Sequence, residues 1–273
     1  MKVFDVHAHI YPDKVATRIL QQLTAAAEAR EGVKVPAPSY DGTHAGLLEN
    51  LKTSGVTVAL NCPIATKLEQ THSVNDWAAA RNVWPILSMG SVHPDYPDIT
   101  GEVRRIKALG LHGLKMHPEY QQFRLTEPRV QPLWETAREL GLPVILHTGI
   151  DICYPPPCMA PPGDVRKLVE AWPGLHVIAG HFGGWRMWDE VERDLLGAPV
   201  FLDLAFAMEF LPAERVAAMI RRHGADRVLF GSDAPWCDPA ATLALFHQLP
   251  LTPAEQEKIL WQNAATLFRL PVS

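Results

Sequence analysis

The stretch Val3-Phe4-Asp5-Val6-His7-Ala8-His9 is an apolar run that ends with two histidines one residue apart. A short apolar run of this kind predicts a buried β-strand. Because residues i and i+2 of a strand point to the same side, the imidazoles of His7 and His9 are expected to face one point. That arrangement suits a bound metal ion, although two histidines that only hydrogen-bond would give the same pattern. Residues elsewhere in the chain are needed to distinguish a metal site from two hydrogen-bonding histidines.

Seven more apolar runs follow at the spacing of strand–helix units, so that the eight runs cover residues 3–6, 56–60, 86–89, 113–116, 143–146, 176–179, 200–204 and 228–230. Apolar strands that alternate with helices indicate a parallel sheet covered by helices. Eight such units predict an α/β fold, the (β/α)8 TIM barrel, as a single metal-dependent domain over residues 1–273. A doubly wound open sheet is the alternative, but no Gly-x-Gly-x-x-Gly motif follows any run.

Local signals mark several of the intervening helices. Thr100-Gly101-Glu102 leads into a helix predicted over residues 103–109. Asp238-Pro239 offers an N-cap and a first-turn proline for a helix over residues 240–248. Thr252-Pro253-Ala254-Glu255 is a capping box for a last helix that ends near residue 268.

An insertion separates the first two strands. Residues 11–29 are expected to be rich in helix, and residues 31–40 form a loop that contains glycine and proline. In a barrel, a segment after strand 1 lies near the C-terminal rim, where active sites are built. It could serve there as a lid or a dimer contact, or be only a surface excursion.

Composition excludes several classes of protein. The chain is 47% hydrophobic and 20% charged, as in a soluble globular protein with a substantial core, and its net charge of −5 argues against a nucleic-acid partner. No apolar stretch is long enough to span a membrane, and no signal peptide is recognisable. The four cysteines are too few and too scattered for a disulfide framework, so free thiols and a cytoplasmic location are expected. We expect a small-molecule substrate, no nucleic-acid or membrane partner, and leave homo-oligomerisation open.

Residues that can bind a metal or move a proton follow five of the eight apolar runs. They are His7 and His9 after strand 1, Lys115 in strand 4, His147 after strand 5, His181 after strand 6 and Asp233 after strand 8. Barrel active sites are assembled from these strand ends, so the set predicts a metal site. Imidazole and carboxylate donors suit zinc, manganese or iron.

This ordered set resembles the ligand pattern of the amidohydrolase superfamily. The phrases Gly113-Leu114-Lys115-Met116-His117-Pro118, His147-Thr148-Gly149 and Gly231-Ser232-Asp233-Ala234-Pro235 are similar to its amidohydrolase 2 branch, which contains metal-dependent TIM-barrel hydrolases and decarboxylases. The resemblance covers essentially the whole chain. It implies that one divalent metal, Zn²⁺, is held by four residues, His7, His9, His147 and Asp233.

The resemblance also implies the roles of the remaining residues. His181 would hydrogen-bond the metal's water or bind a second metal, and Asp233 could accept the proton of that water. Lys115 would bridge two metals only if it were carboxylated, as in the two-metal branches. An anchor for a substrate carboxylate is the alternative role of Lys115.

Substrate contacts are predicted at four further positions near the rim, His93, His117, Tyr11 and Trp236. For the reaction we expect first a hydrolase that uses a metal-bound hydroxide on a C–N, C–O or lactone bond of a small molecule. The alternative, from the same resemblance, is a non-oxidative decarboxylase or hydratase of an unsaturated or aromatic carboxylic acid. A metal-binding protein without catalytic activity is the third reading, and the complete ligand set speaks against it.

Overall fold

Eight short strands alternate with helices in the computed structural model of the protein, which describes residues 1–270. The strands are β1 (Phe4–Ala8), β2 (Val58–Asn61), β3 (Ile86–Ser88), β4 (Leu114–Met116), β5 (Val144–Leu146), β6 (Val177–Ala179), β7 (Phe201–Asp203) and β8 (Val228–Leu229). Each strand overlaps one of the eight apolar runs from which it was predicted.

All neighbouring strands pair in parallel and in chain order, in one arc from β1 to β3 and another from β4 to β8. Backbone hydrogen bonds join the arcs at both seams. Lys115 N–H donates to Gly90 O at 2.7 Å at one seam, and Val6 N–H donates to Phe230 O at 3.0 Å at the other. The strands therefore close into the predicted TIM barrel.

Within residues 1–270, twelve α-helical segments surround the strands: α1 (Asp13–Glu31), α2 (His44–Ser54), α3 (Thr71–Ala79), α4 (Ile99–Ala108), α5 (Pro118–Gln121), α6 (Gln131–Leu140), α7 (Pro162–Ala171), α8 (Trp188–Glu190), α9 (Ala213–His223), α10 (Pro239–His247), α11 (Pro253–Glu257) and α12 (Asn263–Leu267). A π-helical turn over Lys258–Gln262 joins α11 to α12, and another over Val191–Leu195 extends α8.

The helix caps agree with the sequence in two of three cases. Asp238 caps α10, and Thr252 forms the predicted capping box with Glu255 at the start of α11. The predicted start of α4 is wrong, because Asp98 rather than Thr100 accepts the hydrogen bond from Gly101 N–H. The helix consequently begins at Ile99, one turn earlier than the sequence suggested.

The insertion after β1 lies on the C-terminal rim of the barrel, as predicted. Helix α1 forms most of it, and the following loop is fastened to the ends of two strands. Tyr40 Oη donates to His9 O at 2.6 Å, and Ser39 N–H donates to Pro235 O at 2.8 Å. These bonds place residues 32–43 beside the strand ends that carry the predicted metal ligands.

Buried apolar side chains form two clusters. The larger one packs strand and helix residues around the barrel, and the smaller one packs Phe4 against the rings of Trp261 and Phe268. All four cysteines are free. Within residues 1–270, no helix has the length and apolarity that crossing a membrane would require.

Candidate active site

The predicted metal-site residues meet in one cavity at the carboxyl ends of the strands. The cavity has a volume of about 330 Å³, and its floor contains six of the predicted side chains, His7, His9, Lys115, His147, His181 and Asp233. All six are buried. The alternation of the strands and the chain order of their ends therefore bring these residues together as the sequence predicts.

Two hydrogen-bond acceptor atoms, one on His9 and one on Asp233, point toward each other in the cavity. His9 Nδ1 lies 3.0 Å from Cys62 O, a carbonyl that can only accept, so Nδ1 must carry the proton. In a neutral ring, His9 Nε2 then directs a lone pair at Asp233 Oδ1, 3.1 Å away. Burial raises the pKa of Asp233, and a hydrogen bond from His9 together with positive charge on the nearby imidazoles lowers it to about 2. With these rings neutral, that positive charge has to come from a bound cation. Such a pair of acceptors calls for a cation between them.

His7 faces the same carboxylate and is oriented from behind by a second one. His7 Nδ1 lies 3.0 Å from Asp203 Oδ2, and its Nε2 lies 3.5 Å from Asp233 Oδ1. Burial, and next the charge of Lys115, lower the pKa of His7 well below its usual value, so the ring is neutral. A carboxylate that binds the far nitrogen of a histidine is typical of metal sites, where it fixes the tautomer and the ring orientation.

One backbone carbonyl, Ala205 O, determines the tautomer of His181, and His181 in turn determines the tautomer of His147. His181 Nδ1 lies 3.1 Å from Ala205 O, so it donates, and His181 Nε2 is left as an acceptor. His147 Nδ1 lies 2.9 Å from that acceptor and must therefore donate to it. His147 Nε2 is left with a lone pair, is buried, and has no hydrogen-bond partner. A buried lone pair without a donor is a feature of an apo metal ligand.

Three of the four predicted ligands, His7, His9 and Asp233, form one group whose donor atoms all lie within 4.8 Å of one another. His147 instead belongs to a neighbouring group with His117 and Asp151. The rings of His117 and His147 are stacked at 4.2 Å with only 12° between their planes. Because imidazole lone pairs lie in the ring plane, those of two parallel rings do not converge, and we consider the second group less suited to an ion.

Lys115 is buried beside His7, with 1% of its surface exposed. Its Nζ lies 2.8 Å from His7 Nε2, the atom that also faces Asp233. Along residues 1–270, no carboxylate forms an ion pair with Lys115. A metal bound to His7 Nε2 would take the lone pair that now accepts from Lys115, and the lysine side chain would need another partner.

The backbone at the site is held in uncommon conformations. His181 and Asp233 have φ angles of 55° and 67°, in the left-handed region that non-glycine residues rarely adopt. Strained backbone of this kind is found most often at functional sites. Asp5 supports the position of Asp233 from below, because its Oδ1 accepts from the N–H groups of His7 and Ser232, both at 3.0 Å.

Three of the four residues predicted to contact the substrate lie at the cavity, and the fourth does not. Tyr11, His117 and Trp236 line the cavity. His93 does not line it, because the loop after β3 holds its N–H against Thr71 Oγ1 at 3.3 Å and its ring against the backbone of Asp95. The wall is otherwise mostly apolar and includes Leu23, Ala27, Val33, Val35, Pro36, Ile64, Ile152, Trp185, Phe206 and Phe210.

Three carboxylates of the site were missed by the sequence reasoning. Asp203 interrupts the apolar run of strand 7, and burial raises its pKa. Asp5 lies in β1, two residues before His7, and burial raises its pKa to about 7. A charged residue inside an apolar strand was the available signal for both. Asp151, four residues after His147 in an irregular loop, gave no such signal.

The chain matches a known protein family and is similar to solved structures. A family model described as amidohydrolase matches residues 4–270. No curated protein sequence matches the chain. An uncharacterized TIM-barrel protein from Bordetella bronchiseptica has a similar structure, with a TM-score of 0.74 and 19% identity over 98% of this chain and 99% of that one.

Two further similar structures are of decarboxylases. 5-Carboxyvanillate decarboxylase from Sphingomonas paucimobilis has a TM-score of 0.70 and 15% identity, covering 99% of both chains. A dihydroxybenzoic acid decarboxylase from Polaromonas, with bound manganese and the inhibitor 2-nitroresorcinol, has a TM-score of 0.67 and 16% identity, covering 98% of this chain and 97% of that one. At these identities the likeness shows the fold.

Proposed function

The chain belongs to the amidohydrolase family, and from that premise we propose that it catalyses the metal-dependent, non-oxidative decarboxylation of a small aromatic or unsaturated carboxylic acid. The hydrolysis that we expected first is not confirmed, and the alternative fits the similar structures better. The observation that carries the proposal is the buried ammonium of Lys115, which has no carboxylate partner in residues 1–270 and lies at the cavity floor.

We propose that His7, His9 and Asp233 hold one divalent ion, and that His147 completes the set by turning its ring. The convergent acceptors of His9 and Asp233 and the unpartnered His147 Nε2 support this assignment. An ion bound there would act as a Lewis acid on a carboxylate or carbonyl oxygen of the substrate. Nitrogen and oxygen donors accept zinc as well as manganese, the ion in the Polaromonas enzyme.

Lys115 would bind the substrate carboxylate once His7 Nε2 no longer accepts from it. Its charge then compensates the buried anion, which would otherwise be costly to bring out of water. The aromatic and aliphatic walls, such as Ile152 and Trp236, would hold the ring of the substrate and exclude water.

The reaction breaks the bond between the carboxyl carbon and the ring or alkene carbon that bears it, releases the carboxyl carbon as CO₂ and forms a C–H bond at the carbon left behind; the group that donates this proton regains one from solvent. The new hydrogen must come from an acidic group near that carbon. Asp233, with a pKa of about 2, is ionised at neutral pH and is a poor donor. The ammonium of Lys115 at the cavity floor is the donor that we propose.

Release of labelled CO₂ tests the proposal. The metal-loaded protein and its chelator-treated form are incubated with hydroxybenzoic and unsaturated acids that carry ¹³C in the carboxyl group, in H₂¹⁸O. We expect labelled CO₂ only from the metal-loaded protein, and a rate at least about 100-fold lower in Lys115→Met. Lys107→Met, which removes an exposed lysine of α4, is the matched control.

Two results would contradict the proposal. If esters, amides or lactones are cleaved with ¹⁸O in the acid product while no acid releases CO₂, the protein is a hydrolase. If labelled water adds to an unsaturated acid without loss of carbon, the protein is a hydratase.

A further inference from the structure

The cavity extends well beyond the predicted metal ligands, and its outer part differs from its floor. We define the outer chamber by six apolar side chains, Leu23, Ala27, Val33, Trp185, Phe206 and Phe210. Exposure rises along the cavity from 1% at His7 to 44% at Phe210 and 63% at Val33. The chamber therefore forms an apolar passage from the site to the solvent.

Three aromatic rings and the side chains of helix α1 form the walls of the outer chamber. The rings of Trp185, Phe206 and Phe210 contact one another, with centroid distances of 5.1 to 5.8 Å. Facing them, Ala27 is only 6% exposed and yet belongs to neither of the two core clusters. Ala27 lines the cavity from α1, and because its side chain is small it leaves space in the chamber.

Two charged side chains at the mouth of the cavity, those of Glu31 and Arg186, pair with each other. Arg186 donates to both carboxylate oxygens of Glu31, at 2.9 and 2.6 Å, and its guanidinium lies 4.2 Å from the ring centre of Trp185. This ion pair fastens the end of α1 to the loop after β6. Lys34 is the remaining charged residue at the mouth and is exposed. The chamber itself offers a ligand apolar contacts.

The apolar surface continues outside the cavity. A neighbouring open groove of about 700 Å³ shares Pro36, Phe206, Phe210 and Trp236 with it. A ligand chain that leaves the cavity over these side chains would meet further surface. The cavity of about 330 Å³ alone is within the range, roughly 300–1,000 Å³, that takes drug-sized ligands, and a one-ring acid at the floor would leave the outer chamber unfilled.

We infer that the substrate is an amphiphilic carboxylic acid: an aryl or unsaturated acid whose carboxylate binds at the floor and whose extended apolar substituent fills the outer chamber. Leu23 and Ala27 of α1 would set the length and width of that substituent. This inference rests on the proposed function for the carboxylate end of the ligand, whereas the apolar end is argued from the chamber.

Calorimetric titration of the metal-loaded protein with benzoate, 4-butylbenzoate and 4-hexylbenzoate tests the inference. We expect affinity to rise along the series, by at least about tenfold from benzoate to the hexyl compound, because buried methylenes add favourable transfer free energy. Ala27→Phe should reduce this gain to about threefold or less by filling the chamber. Ala29→Phe, on the exposed face of the same helix, should keep the wild-type gain.

A flat series with the wild-type protein, or an unchanged gain in Ala27→Phe, would overturn the inference. If Ala27→Phe does not fold, Phe210→Ser removes part of the opposite wall and should also lower the gain. Calorimetry reports binding and release of CO₂ reports turnover, so failure of the inference and failure of the proposed function are distinguishable. A protein that shows the gain but releases no CO₂ refutes only the proposed function, whereas decarboxylation of benzoates with no gain refutes only the inference.

Discussion

The tautomers of the site histidines follow from single hydrogen bonds. His9 and His181 each donate to a backbone carbonyl, His7 faces the Asp203 carboxylate, and His147 donates to His181. In every case the ring nitrogen on the opposite side is left to accept. At His7, His9 and His147 the neutral tautomer thus carries its lone pair on the nitrogen that would bind the ion before any ion is present, which lowers the cost of assembling a metal site.

Asp203 provides a direct test of this preorganisation. Asp203→Asn keeps the shape of the side chain but removes the charge that orients His7. We expect the affinity for Zn²⁺ or Mn²⁺ to fall by about 10–100-fold, the usual effect of losing such a partner. Competition with a chromophoric chelator measures it. Asp226→Asn changes an exposed aspartate that pairs with Lys258 and should leave the affinity unchanged; equal affinities in all three proteins would contradict the tautomer argument.

Substitution of His181 tests whether this residue positions another ligand or binds the ion itself. Its Nε2 contacts His147, and His181 does not belong to the group of convergent donor atoms that His7, His9 and Asp233 form. His181→Asn should therefore retain most of the bound metal and lose catalytic rate, whereas His7→Ala and Asp233→Ala should lose both while remaining folded. Elemental analysis of the three variants decides the matter. Loss of metal from His181→Asn would show that His181 is a ligand and would favour two ions.

The sequence predicted the residue types of the site better than their pairing. Ligand-type residues after apolar runs are visible in the chain, and the barrel brings them together. The contacts of His147 with His181 and of His7 with Asp203 depend on side-chain rotation, which carries no sequence pattern. His93 was misplaced for a related reason, since a rim residue can turn toward the site or away from it.

At the scale of elements, a buried carboxyl group contacts the end of the loop over residues 151–159. Glu119 of α5 accepts from Met159 N–H at 2.9 Å through Oε1, while its Oε2 has no hydrogen-bond partner and lies 3.8 Å from His117 Nδ1. Burial raises the pKa of Glu119 to about 7. Between its ordinary pKa of 4.5 and about 7, the folded protein keeps a proton that the unfolded chain has released.

Stability should therefore fall as the pH rises through this interval. The contribution of Glu119 to the free energy of unfolding is expected to decrease by at most about 3 kcal/mol between pH 4.5 and 7, and to change little above that. Urea titrations of the wild type and Glu119→Gln at several pH values measure the difference. The variant should show the shallower decline, while Glu257→Gln, an exposed change, should follow the wild type; parallel curves for Glu119→Gln would refute the argument.

Element boundaries show where local signals suffice. Asp238 and the Thr252 capping box were read correctly because the cap residue precedes a first-turn proline. At α4, the predicted start was one turn late, because Asp98, which precedes the Thr100-Gly101-Glu102 signal, caps the helix. The π-helical turn over Lys258–Gln262 was not predictable either, because it changes the helical register within a continuous apolar pattern.

For the whole molecule, the regular recurrence of buried strands was sufficient to predict the barrel, since eight parallel strands with covering helices have few other arrangements. We propose that residues 1–273 form a single domain, of which 271–273 lie outside the described part. The substrate end of the cavity was not predictable. It depends on α1 and the rim loops, whose apolar residues are also those of ordinary packing.

The central claim is that one divalent ion binds between the ends of β1, β5 and β8. Anomalous diffraction from crystals grown with Mn²⁺ or Zn²⁺, collected on both sides of the absorption edge, tests it most directly. The account predicts one anomalous peak within coordination distance of His7 Nε2, His9 Nε2 and an Asp233 oxygen, with the His147 ring turned toward it and Lys115 displaced from His7. A crystal with no peak there, or with an ion bridged by a carboxylated Lys115, would contradict it.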